Sequence, residues 1–89
     1  MTAQQMKQIK VDEVLLDTHN SNKLRKAITC LVIEVKKEGV LVRGYDSQSS
    51  DFYYNELTGK KDELIPWDKA YSVELIDPAR VNEPGYLPY

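Results

Sequence analysis

A chain of 89 residues makes one domain, and at this size folding buries only roughly 60–65% of the unfolded surface. The net charge of −2 is far from the strongly basic balance of a typical nucleic-acid-binding domain. The single cysteine excludes an internal disulfide and most structural zinc sites. Charge is also uneven: residues 1–26 carry five bases and three acids, residues 27–77 six bases and ten acids. A polyanion would therefore meet Lys23, Arg25 and Lys26 first.

Thr2-Ala3-Gln4-Gln5 fits a capping box, with Thr2 as N-cap and Gln5 reaching back. Residues 3–16 are expected to form a short helix, although Ile9, Val11 and Leu15 also alternate as a strand would. Asp17 to Asn22 reads as a loop, since each side chain there can satisfy local backbone groups. His19, the only histidine, falls in that loop and reads as a solvated side chain.

Ala27 to Val35 is apolar on both faces, as in a strand buried on both sides or sharply bent. Cys30 lies within it and reads as a small buried hydrophobe. Lys36 to Gly39 forms a turn, with Gly39 suited to a positive φ. Val40 to Arg43 returns as a strand, and Gly44 is expected at a bend or bulge. After a polar loop at Asp46–Ser50, Asp51–Tyr54 forms a third strand, with Phe52 and Tyr54 directed to the core. A hairpin tip follows within Asn55–Asp62, then a fourth strand, Glu63–Ile65, closed by Pro66. Trp67–Ala70 makes one helical turn, and Tyr71–Ile76 a fifth strand with Tyr71, Val73 and Leu75 on one face. From Asp77 onward Pro78, Pro84, Pro88 and Gly85 prevent regular structure.

The expected fold is mainly β: a small, five-stranded, strongly bent barrel over residues 27–77. An N-terminal helix and loop over residues 1–26 precede it, and an irregular Pro-rich tail over residues 78–89 follows. This arrangement resembles the Sm-like barrels, including the bacterial Sm-like RNA chaperone. Gly39-Val40-Leu41-Val42-Arg43-Gly44 looks like the family's pair of glycines flanking four residues. Asp51 matches its acidic residue, and Asn55 lies one place beyond its asparagine. Trp67-Asp68-Lys69-Ala70-Tyr71-Ser72 looks like the aromatic-basic-His-Ala-Ile-Ser stretch of the bacterial members. A Src-homology-3-like barrel shares the five strands and late turn.

No catalytic constellation is visible. Cys30 and His19 lie in separate elements, and the carboxylate pairs Asp12-Glu13 and Asp62-Glu63 are sequence neighbours that point apart. The chain is expected to be non-catalytic, with no cofactor and no metal. The leading expectation is an interaction module that binds another protein or itself, as an adaptor or a phage- or plasmid-type accessory or inhibitor protein. Its candidate contact residues are Tyr53, Trp67, Tyr86, Leu87 and Tyr89, because exposed aromatics are enriched at binding hot spots. The Sm-like resemblance implies the alternative, an oligomeric single-stranded RNA binder using Lys23, Arg25, Lys26, Asp51, Tyr53, Asn55, Trp67 and Lys69. The polar, Gln-rich N-terminus and the lack of an apolar run approaching ~20 residues lead us to expect a cytoplasmic chain without a membrane span.

Overall fold

The structure, a computed structural model, describes residues 1–46, 51–52 and 62–87. The capping box forms as expected: the Thr2 hydroxyl accepts from the Gln5 N–H at 3.1 Å, and the Gln5 side chain accepts from the Thr2 N–H at 2.8 Å. Helix α1 nevertheless spans only Ala3–Met6, which corrects the helix expected over residues 3–16. The chain turns through Asp12, whose φ is 75°, and becomes strand β1, Val14–Asp17. The cause is burial on two sides. Val14, Leu15 and Leu16 are consecutive and all buried. A one-faced helix cannot bury three neighbours in a row, but a strand paired on both edges and covered on both faces can.

The expected loop at Asp17–Asn22 is instead mostly helix α2, Thr18–Leu24. Residues that satisfy loop backbones also cap helices. The Asp17 carboxylate accepts from the Asn20 N–H at 3.0 Å and from the Asn20 amide at 2.7 Å. Arg25 ends the helix in the left-handed region, at φ 53°. His19 is exposed, but on this helix.

Strands β2 (Thr29–Val35) and β3 (Gly39–Asp46) form the expected antiparallel hairpin. The register shift lies between Val32 and Glu34, whereas Gly44 pairs regularly with Cys30, so the bulge expected at Gly44 is displaced to β2. Gly39 is not at positive φ; among the described residues Gly85 is the only glycine there. A Cβ on Gly39 would lie 2.1 Å from the Ile65 carbonyl oxygen, so glycine is required by close approach of the next strand.

Strand β3 runs two residues past Gly44, pairing Tyr45 with Phe52 and Asp46 with Asp51 of β4 (Asp51–Phe52). The rest of the expected loop and third strand lies outside the described residues. Strand β5, Asp62–Pro66, pairs with Gly39–Arg43 of β3. A 3-10 segment, Trp67–Ser72, leads to β6, Val73–Leu75. This shortens the expected fifth strand. Tyr71 belongs to the 3-10 segment and is 71% exposed, so it shares no strand face with Val73 and Leu75.

The fold is mainly β, and its pairings are antiparallel, in the order β6-β1-β2-β3-β5 with β4 at the far end of β3. Among the described residues no pairing joins β5 to β6, so the hydrogen-bonded sheet is not closed. The core comprises Met6, Ile9, Leu15, Val32, Val40, Val42, Ala70 and Val73. Thus α1 and the 3-10 segment cover the inner face of the sheet. The Met1 ammonium ties them to its edge, donating to the carbonyls of Val73 at 2.9 Å and Ala70 at 3.3 Å. The Pro-rich tail is irregular apart from a 3-10 turn at Pro78–Arg80. No helix among the described residues is long and apolar enough to cross a membrane.

Candidate interaction surface

Alternation along β3 builds the most distinctive surface. Val40 and Val42 enter the core, so Leu41, Arg43 and Tyr45 stand on the opposite face. Pairing places Leu64 and Asp62 of β5 and Phe52 of β4 beside them. The Arg43 guanidinium meets the Asp62 carboxylate through two bonds, of 2.6 and 3.1 Å. That bonding raises the Arg43 pKa above its ordinary value. The same guanidinium lies 5.2 Å from the Phe52 ring centroid, and the Phe52 and Tyr45 rings are 5.3 Å apart and tilted by 52°. Phe52 is 46% exposed and Leu64 39%. This corrects the expectation that Phe52 fills the core: on β4 it pairs with outward-facing Tyr45. The face therefore presents aromatic and aliphatic groups around an arginine whose orientation is fixed.

Trp67 occupies a different position. Its indole N–H donates to the Lys37 carbonyl at 2.8 Å, its body packs on the core, and the Lys7 ammonium lies 5.8 Å from its ring centroid. It is half-buried and anchors the β2–β3 turn to the 3-10 segment. Lys69 is exposed two residues further on. Tyr86 and Leu87 are half-buried in the tail. The Tyr86 hydroxyl accepts from the Asp77 N–H at 2.8 Å, and Arg80 lies 4.4 Å from its ring centroid. Arg80 also pairs with Glu83, which lowers the Glu83 pKa.

Lys23, Arg25 and Lys26 are exposed at the end of α2. Asp51 lies on β4 opposite Asp46. Tyr53, Asn55 and Tyr89 lie outside the described residues. Sequence reasoning missed Leu41, Arg43, Tyr45 and Leu64. The signal was the alternation Val40-Leu41-Val42-Arg43-Gly44-Tyr45, which separates an inner from an outer set only once the strand is known to reach Tyr45.

Cys30 packs against the core, and its thiol faces the Leu15 carbonyl at 3.7 Å. Burial, with smaller contributions from Asp17 and Glu63, pushes it up to about 12. A thiol held so firmly protonated is a poor nucleophile. Among the described residues no three His, Cys, Asp or Glu side chains converge as metal ligands would. No family model, curated protein or solved structure matches the chain.

Proposed function

We propose that this chain is a non-catalytic interaction module that binds another protein through the outer face of β3 and its neighbours. The observation that carries this reading is the grouping of Phe52, Tyr45, Leu41 and Leu64 around the Arg43–Asp62 pair. Tyrosine and arginine are enriched at interface hot spots, and partly exposed apolar groups on rigid strands lose little entropy on binding. The β-rich order with a late 3-10 turn accords with a small barrel of the Src-homology-3-like or Sm-like kind. On this reading the protein works in the cytoplasm, as an adaptor or as an accessory or inhibitor protein. Its test is capture by the tagged chain followed by native mass spectrometry. Phe52→Ser with Leu64→Ser should abolish capture while leaving the thermal transition within a few degrees; capture retained by a folded double variant would refute it.

A second reading is Sm-like binding of single-stranded RNA. Exposed Lys69, two residues after Trp67 in the 3-10 segment, and exposed Lys23 and Arg25 favour it. The net charge of −2 works against it. It requires an oligomer that binds short single strands in a salt-sensitive way. A strict monomer without such binding at low salt would remove it.

A further inference from the structure

Two surface features from separate parts of the chain are complementary in chemistry. One is a groove of about 330 Å³ between α1, the linker to β1 and the edge strand β6. Ile9 and the 49%-exposed Leu75 supply its apolar lining. Gln5, Gln8, Glu13 and Glu74 supply its polar rim. Glu74 is paired with the Met1 ammonium at 2.7 Å. Glu13 accepts from the Lys10 backbone N–H at 2.7 Å and has no cationic side-chain partner among the described residues. Met1 also lines the groove, and its ammonium offsets Glu74, so the rim's net negative charge lies at Glu13, which is held in place.

The other feature is the end of α2. Leu24 is 37% exposed, with exposed Lys23 and Arg25 on either side. The left-handed Arg25 turns the chain sharply, and the Lys26 N–H closes the corner on the Ser21 carbonyl at 3.3 Å. An apolar side chain between two bases is thereby presented at a corner.

We propose that Lys23-Leu24-Arg25 of one copy docks in the Ile9–Leu75 groove of a second copy. Leu24 covers Leu75 above the buried Ile9, and Arg25 meets Glu13, which has no cationic partner of its own among the described residues. Because knob and groove are different surfaces, the contact is head-to-tail and repeats into a ring or a chain. One corner in one groove buries far less than the roughly 1,000 Å² of a stable interface. Association is therefore weak, and strongest at low salt.

The test is sedimentation velocity over a concentration series reaching about 1 mM, at about 0.02 and 0.3 M salt. The average mass should rise with concentration at low salt and lose most of that rise at high salt. Leu24→Asp and Leu75→Asp should each keep the protein monomeric with an unchanged circular dichroism spectrum. Glu13→Lys and Arg25→Glu should each weaken association at least about tenfold. Mixing those two variants should restore it, because each supplies the charge the other has lost. A monomer under all conditions overturns the proposal, as does association that ignores these substitutions. Association lost instead in the Phe52→Ser, Leu64→Ser variant would place the contact on the outer face of β3 and overturn it as well.

Discussion

At Gly39 one hydrogen atom separates a packed sheet from a steric collision. The Cβ of Gly39→Ala would fall 2.1 Å from the Ile65 oxygen and 2.7 Å from the Pro66 Cα, both backbone atoms that cannot rotate away. We predict a loss of at least about 2–3 kcal/mol in urea unfolding, the range for overpacking and backbone displacement. Cys30 gives a second prediction. Its thiol moves from an ordinary 9.0 to about 12 on folding, chiefly through burial. The folded state then keeps a proton that the unfolded chain releases, so this contribution is fully present below pH 9.0 and fades as pH rises towards about 12. Wild-type stability should fall more steeply over that window than that of Cys30→Ala; parallel profiles would remove the effect. The sequence showed Cys30 as apolar and Gly39 as special. It assigned Gly39 the wrong reason, because the atom it must avoid belongs to a strand 26 residues away.

The elements show where local chemistry suffices. The Thr2–Gln5 capping box was legible because all its partners lie within four residues. The length of α1 was not. Val14, Leu15 and Leu16 leave the helical pattern because β2 and β6 take both edges of β1. Asp17 reads locally as a residue that satisfies backbone groups, but the choice between loop and helix depends on what α2 can pack against. Ser21 is fully buried there, and its hydroxyl accepts from the Ile28 N–H at 2.9 Å. Asp17→Ala should lower stability by about 1 kcal/mol through loss of the cap, with far-ultraviolet helical signal reduced before the main unfolding transition. Coincident loss of both signals would show that α2 has no separate stability.

For the whole molecule, cooperativity should centre on the β2–β3 hairpin and the strands on either side of it. Val32, Val40 and Val42 lie within the core. Backbone amides of β2 and β3 should exchange most slowly with deuterium, and those of the tail from Pro78 onward fastest. The tail is held by local contacts, Arg80 to Glu83 and Tyr86 to Asp77. Removing residues 78–89 should therefore leave the slow-exchanging set unchanged; its loss would show that the tail is part of the core. The sheet limits its own edges as well. The Met1 ammonium occupies the Val73 carbonyl on β6, and β5 ends at Pro66, which has no N–H to offer.

Patterns of two to five residues were enough to locate the β2–β3 hairpin, the fourth strand, the late turn before the last strand and the irregular tail. Their causes, alternation, turn chemistry and proline, act between near neighbours in the chain. Three outcomes needed the tertiary structure: that residues 14–17 are a strand, that Phe52 faces outward, and that Leu41, Arg43, Tyr45 and Leu64 share a face with it. Each depends on which strand lies alongside which. Pairing joins residues up to 60 positions apart, as Leu15 and Leu75 are joined here, and no local pattern carries that information.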